Sequence, residues 1–383
     1  MTAAPKPFSI GIAGAGTAGL AASIALARAG HHVSVFEKHP GLSTLGAGLL
    51  IQPQGVHALQ VLGVGEAFER ASVPIRRLLG KCHRGWTLVD IDYTDVLARS
   101  VGRAALAQVL YEAAQAAGVR FHFGDAVEQL HVDTGRARVE HSSGPSTFDV
   151  FAIADGAASM LRERAGLSAP STTYRWGALW GQFWVPSWDA ELLAQRYRGT
   201  SEMMGLLPTE ATGQGVRLSF FWSLRGDRHA AWRSSDIEAW KAHVLTLWPE
   251  AEPVVRQIAR HDDLTFAVYR HSWPRNLAGA PYCVMGDAAH AMSPQLGLGA
   301  TLAVQDALAL AGALNQHGAQ QGLREYARRR QFPSRAYQTL SRALTPCFQA
   351  TGGGLWRDVA FAAGRWVPGV QWLMKRSVAE AVG

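Results

Sequence analysis

Three clusters in this chain have the residue types and spacing to do chemistry. The first, Gly14-Ala15-Gly16-Thr17-Ala18-Gly19, follows the pattern Gly-x-Gly-x-x-Gly, and Glu37 and Lys38 come 18 and 19 residues after Gly19. Glycines so placed permit a tight turn. They let backbone approach a pyrophosphate at a helix N-terminus, where free amides and the helix dipole attract anions. A carboxylate at the place of Glu37 accepts hydrogen bonds from a ribose. This is the chemistry of holding a dinucleotide, and it does not separate NAD from FAD. The second cluster is Asp155-Gly156-Ala157-Ala158-Ser159-Met160-Leu161-Arg162, and the third is Gly286-Asp287-Ala288-Ala289-His290, followed by Pro294, Gly297, Leu298, Gly299 and Ala300. Singly, the last two read as tight turns with an aspartate. Their order and separation along one chain are more informative.

Elements must bring these clusters together. Residues 8–13 read as a buried strand, 18–29 as a helix stopped by Gly30, and 32–37 as a second strand. That is a βαβ unit, which requires a parallel sheet. A helix over 103–117 and a strand over 119–123 follow. Between about 170 and 275 the texture changes to alternating, aromatic-rich runs such as Trp180–Val185 and Val216–Leu224, with a helix near 235–248. These are antiparallel strands of an inserted sheet. The chain then returns to a buried strand at 282–285 and a helix from about 299 to 314. Residues 320–383 are expected to be mostly helical, broken by Pro333, Pro346 and Pro368. The fold class is therefore α/β, a Rossmann-like dinucleotide-binding domain with a parallel sheet, interleaved with an antiparallel-sheet domain and C-terminal helices. Its expected bounds are 1–75, 100–170 and 276–340 for the first, 76–99 and 171–275 for the second, and 341–383 for the helical region.

With the later motifs in view, the chain resembles the FAD-dependent, aromatic-hydroxylase-type flavoprotein monooxygenases of the para-hydroxybenzoate hydroxylase fold. Phe148–Arg162 resembles that family's DG motif and Gly286–Gly299 its GD motif. Gly46-Ala47-Gly48-Leu49-Leu50-Ile51-Gln52-Pro53 resembles the loop beside the isoalloxazine, and Arg103 sits where the family opens a helix on the flavin phosphates. The resemblance covers roughly residues 8–340.

It implies non-covalent FAD, NAD(P)H as a transient co-substrate, and O2 as oxidant. Asp287 would bond the ribityl chain, while Asp155 and Gly156 would lie near the pyrophosphate. Arg162 would be a structural or cofactor contact. Pro294, Gly297 and Gly299 would present backbone amides and a positive helix end to the flavin's N1–C2=O2 edge, favouring hydride acceptance and oxygen activation. Gly48, Leu49, Leu298 and Ala300 would also touch the flavin. Where relatives often have Gly-Gln-Gly, this chain has Gly297-Leu298-Gly299, so only backbone contacts survive there. His290 reads as a turn-stabilising histidine. A flavin C4a-hydroperoxide would deliver an electrophilic oxygen to an aromatic or heteroaromatic carbon, leaving the protein to position substrate and exclude water.

Substrate-side candidates are Trp180, Met204, Arg217, Phe221 and Met292, with Trp184 and Tyr269, each of which ordinary sheet packing would equally explain. Alternation along 216–224 puts Arg217, Ser219 and Phe221 on one face and Leu218, Phe220 and Trp222 on the other, without saying which faces the flavin. Two rivals use the same fold: a halogenase or prenyl reductase, or a non-catalytic FAD-binding redox partner. Trp180 and Trp184 are four residues apart, against the two of the halogenase Trp-x-Trp pattern, and Lys81 reads as a loop lysine.

Bulk composition trims the remaining classes. The net charge of +7 invites nucleic acid, yet Arg328-Arg329-Arg330 lies in a helical stretch with Glu325 three residues before Arg328, which reads as a solvated face. Three distant cysteines, Cys82, Cys283 and Cys347, give no metal spacing and suit a reduced, cytoplasmic setting. Neither a signal-peptide core in residues 1–9 nor an integral membrane segment is apparent. The expected partners are a small aromatic or lipophilic substrate and O2, in a monomer or homodimer. The stretch 355–378, with Trp356, Arg357, Phe361, Trp366 and Trp372, loosely resembles the tails of bacterial alkylquinolone 3-monooxygenases. It reads as a helix packed on the core, with a cap over a lipophilic substrate or a helix resting on a membrane surface as the alternatives.

Overall fold

Four of the five residues of the strand Ser9–Ala13 are buried, which a position inside a sheet requires. In the computed structural model, which describes residues 7–43, 46–167 and 171–364, that strand lies between two parallel neighbours. Gly11 is opposite Ser34 of His32–Glu37 on one side and Phe151 of Val150–Ile153 on the other. Tyr282–Val284 and Arg120–Phe123 extend the sheet in parallel, and Ala278–Gly279 closes one edge antiparallel. The helix Thr17–Arg28 packs its Leu20, Ala21, Ile24 and Leu26 into the core beneath. It ends where Gly30 takes φ 90° and His31 N donates to Leu26 O. The βαβ reading therefore holds.

The segments Arg77–Asp92 and Thr172–His271 build a second, seven-stranded sheet. Its order is Thr265–His271, Thr172–Val185, Gly215–Arg225, Glu202–Thr212, Leu192–Arg198, Arg77–Cys82 and Thr87–Asp92, antiparallel except where Leu192–Arg198 meets Arg77–Cys82. Lys81 lies within one of these strands, half-buried, and not in a loop. One face carries Leu179, Phe183, Leu218, Phe220 and Trp222, covered by the helices Ile237–Leu247 and Glu252–Val255. Trp222, Trp232 and Trp248 are spent in this core, so these three of the thirteen tryptophans serve packing. The opposite face turns toward a small sheet of Gly48–Ile51, Ala98–Gly102 and Val73–Ile75.

The helix Gly299–Phe348 departs from expectation. Pro333 and Pro346 lie inside it, and the non-helical residue is Gly318, at φ 74° and ψ −177°. A side chain would strain that backbone, so the glycine breaks the rod where the prolines do not. Arg330 also departs: Arg328 and Arg329 pair with Glu325 in solvent, but Arg330 is buried, with its Nε 2.7 Å from Asp306. Arg357, in the helix Leu355–Gly364, is buried too, bonded to Asp358 and to the carbonyls of Gly199 and Cys347. It anchors the helix to the turn between Leu192–Arg198 and Glu202–Thr212, leaving no basic surface at that residue. Pro368, Trp366 and Trp372 lie outside the described residues.

Candidate functional site

At the first turn each glycine has its own reason. A Cβ on Gly19 would lie 1.9 Å from the carbonyl oxygen of Gly14, so helix and turn can only touch through a glycine. Gly16, by contrast, faces open space, with no atom within 4 Å of its would-be Cβ. The helix starting at Thr17 has no side-chain cap, leaving its first amides directed at that space. Glu37 stands beside it, its Oε2 accepting from Ala15 N at 2.8 Å and its Oε1 from His39 N at 3.0 Å. Lys38 is exposed. The strand end is braced from behind: His141 tilts against Phe36 at 4.6 Å, and its two ring nitrogens meet Asp125 and Ser146 at 2.9 Å.

The second and third clusters are tied to one another. Arg162 is fully buried and its Nη1 donates to Ala288 O at 2.7 Å. Burial pulls its guanidinium below the usual range, and burial likewise raises the carboxyl of Asp155. Asp155 Oδ1 has no partner among the described residues, and Gly156 beside it faces open space. Gly286, at φ 57°, lies so close to Ala18 that a Cβ would approach that methyl to 2.5 Å. Its amide donates to Asp306 Oδ2 at 2.9 Å, the oxygen that His290 Nε2 meets at 2.7 Å. Arg330 takes the other oxygen. Burial opposes ionisation of Asp306, but the charges of His290 and Arg330, with bonds from the His290 ring and the Gly286 amide, outweigh it and hold the carboxyl at about 2. His290 is thus a bracket for the turn. Ser272 is a second bracket, its hydroxyl donating to Asp287 O and accepting from Ala291 N. Asp306, Arg330 and Ser272 lie outside every motif; only folding brings them to the turn.

Past the turn the chain shapes a loop. Asp287 is exposed, with Oδ1 3.9 Å from the would-be Cβ of Gly299. Pro294–Leu296 forms a 3-10 turn, Gly297 is left-handed at φ 61°, and the long helix begins at Gly299 with no side-chain cap. Leu298 is 3% exposed and packs on Leu302 and Tyr337, so only its backbone is available. Met292 is half-buried against the same cluster. The far half of the helix returns to hold this loop: Ser293 Oγ lies 2.8 Å from Ser341 Oγ and 2.9 Å from Thr345 Oγ1, and Gln295 bonds Gln349.

Gly46–Gly48 faces the large sheet. Gly48 N donates to Ser219 Oγ at 2.8 Å, and Gln182 Nε2 donates to Gly46 O at 2.9 Å. The Arg217–Ser219–Phe221 face is therefore the one turned to this loop. Exposed Arg103 opens the helix Arg103–Ala116 and packs on Gly46, where a Cβ would meet its side chain at 2.5 Å. Beyond the loop lies a cleft of 630 Å³ whose walls include Arg70, Ser72, Gly102, Trp180, Gln182 and Arg217. Arg217 is ion-paired to Glu210 at 3.2 Å and lies over the ring of Trp184 at 5.0 Å. Phe221 and Tyr269 are half-buried, and burial raises the Tyr269 phenol.

Met204 is misplaced as a substrate residue. It is opposite Trp222 and fully buried against the covering helices, because strand alternation sends it to the back. Met204→Leu, a volume-conserving swap, is expected to cost under about 1.5 kcal/mol and to leave the substrate KM within twofold, checked by urea unfolding and steady-state kinetics.

Open space at Gly16 and Gly156, an unpartnered buried oxygen on Asp155, two uncapped helix starts and exposed Asp287 together form a cradle of the right chemistry for a flavin dinucleotide. Comparison with known proteins decides the matter: residues 8–340 match the FAD-binding domain family. The chain belongs to that family. The 2-heptyl-3-hydroxy-4(1H)-quinolone synthase of Mycobacteroides abscessus is 30% identical over 320 residues, 80% of this chain and 81% of that protein. The FAD-dependent urate hydroxylase of Klebsiella pneumoniae is 26% identical, covering 82% and 84%. Among solved structures, a variant of Klebsiella pneumoniae HpxO complexed with FAD superposes with a TM-score of 0.82 at 20% identity, over 98% of this chain and 100% of that one. This flavoprotein belongs among the FAD-dependent monooxygenases, a family in which NAD(P)H and O2 are the usual co-substrates. Among its described residues no helix is long and apolar enough to cross a membrane.

Proposed function

We propose that this monooxygenase hydroxylates a planar heteroaromatic compound held in the cleft that Trp180, Gln182 and Arg217 line beside the Gly46–Gly48 loop. The observation that carries this reading is the bond from Gly48 N to Ser219 Oγ, which turns the Arg217–Ser219–Phe221 face of the sheet toward the loop that would lie beside the flavin. The relatives that are a heptyl-hydroxyquinolone synthase, a urate hydroxylase and a kynurenine 3-monooxygenase support a small flat substrate. FAD, when bound, supplies hydride acceptance from NAD(P)H and activation of O2.

The chain supplies position and charge. Gly14, Gly16, Thr17, Ala18 and Gly19 would hold the pyrophosphate at the helix start, with Asp155 and Gly156 nearby. Glu37, beside Lys38, would bond the ribose, Arg103 the phosphates, and Asp287 the ribityl hydroxyls. Gly48, Leu49, Pro294, Gly297, Leu298, Gly299 and Ala300 would line the ring, where the positive helix end favours developing negative charge. Arg217 and Trp180 suit an anionic or phenolate ring. The protein acts in the cytoplasm as a monomer or homodimer, without nucleic acid.

Anaerobic mixing with NADPH and then NADH, across phenols, quinolones and other heteroaromatics, tests the reading. Flavin bleaching that one ligand accelerates, followed by a hydroxylated product on aeration, is expected. A flavin that neither nucleotide reduces would overturn it.

A further inference from the structure

Gly46, Ala47 and Gly48 are each tied to a different partner. Gly46 O accepts from Gln182 Nε2 at 2.9 Å, Ala47 O accepts from Arg103 N at 3.4 Å, and Gly48 N donates to Ser219 Oγ at 2.8 Å. Two of these partners, Gln182 and Ser219, lie on the neighbouring strands Thr172–Val185 and Gly215–Arg225 of the large sheet, and they are directly opposite each other in its register. Gln182 lines the cleft beside Trp180, whereas Ser219 is 2% exposed beneath the loop. One takes a carbonyl and the other an amide, so the loop cannot slide or roll without breaking a bond of each polarity. The approach is close enough that a Cβ on Gly48 would lie 2.5 Å from Thr209 and 2.8 Å from Ser219.

Resting on the functional reading above, we propose that Gln182 and Ser219 form a cross-strand pair of positioning residues that sets the Gly46–Gly48 loop from the substrate sheet. A ligand settling beside Trp180 acts on Gln182, and Gln182 acts on the loop. Because both bonds fall on one three-residue segment, loosening one loosens the other. The pair therefore makes the arrangement of the loop depend on what occupies the sheet face.

The test uses the FAD-loaded protein and three variants: Ser219→Ala, Gln182→Met, and Gln182→Glu, which keeps size and polarity but offers an acceptor to the Gly46 carbonyl. Hydrogen exchange is followed at the Gly48 amide, and flavin reduction by NADPH is compared with and without an accelerating heteroaromatic. Ser219→Ala is expected to speed exchange at Gly48 roughly three- to tenfold, the loss of one ordinary hydrogen bond. Both Gln182 variants are expected to speed it too, although Gln182 makes no bond to Gly48, and to bring the ligand-dependent acceleration of reduction toward one. Gln182 variants with wild-type exchange at Gly48 and wild-type acceleration would overturn the proposal. Failure of the functional reading is separately visible, since the wild-type flavin would then not be reduced while the exchange data still report on the pair.

Discussion

Asp306→Ala is expected to lower stability by about 3–5 kcal/mol, because it leaves His290 and Arg330 facing each other in a dry interior without the carboxylate between them. The loss is local in origin and general in effect. Asp306 also accepts from Gly286 N, so the turn that presents Asp287 loses its bracket along with the charge balance. Chemical unfolding of the FAD-free protein measures the cost without interference from cofactor release; a midpoint within experimental scatter of wild type would remove Asp306 from the account. The same carboxyl predicts a pH dependence. Its folded value of about 2 lies below the unfolded aspartate value of roughly 3.9, so over that interval the unfolded chain binds the proton more readily. Its contribution, on the order of 2–3 kcal/mol, is complete above pH ~4 and drains away as pH falls toward 2. The slope of stability against pH in that interval should flatten in Asp306→Asn.

Asp287→Ala should fold and come out nearly colourless. Its side chain is exposed and braces nothing among the described residues of the turn, which is held through the backbone by Ser272 and Asp306. What the substitution removes is a charged acceptor beside the uncapped helix start at Gly299. Charge-assisted hydrogen bonds of this kind contribute about 1.5–3 kcal/mol, so FAD affinity should fall roughly ten- to a hundredfold. The ratio of flavin to protein absorbance after gel filtration reports it directly. Wild-type yellow protein would show that the ribityl chain is held elsewhere, and an unfolded product would show that the backbone brackets do not suffice.

What could be read in the chain depended on how far each feature is local. The turn at Gly14–Gly19, the strand on either side of its helix and the acid at Glu37 lie within thirty residues, and periodicity and glycine spacing specify them almost completely. The alternation of 216–224 was equally local and correctly divided the strand into two faces. It could not say which face meets the Gly46–Gly48 loop, since that depends on one bond to Gly48, 171 residues away. Arg330 was misread for the same reason. Two arginines of its run pair with Glu325 on the helix surface, and only tertiary packing turns the third inward onto Asp306, 24 residues back. Met204 failed through register: its face is set by pairing with Trp222, and nothing in its neighbours along the chain reveals that partner. Pro333 and Pro346 misled because proline disfavours helix interiors without forbidding them, whereas Gly318 carries the strained backbone and gives little signal of its own.

The two faces of the strand Gly215–Arg225 answer to different demands. Leu218, Phe220 and Trp222 hold the sheet to its helices, while Arg217, Ser219 and Phe221 lie on the opposite face, where Ser219 meets the loop and Arg217 the cleft. Mutations on the second set are thus largely uncoupled from those on the first. A lineage can recut the substrate wall residue by residue without passing through an unfolded ancestor. Relatives at 24–30% identity are named for different substrates, a divergence that such a division of labour makes accessible to drift and selection.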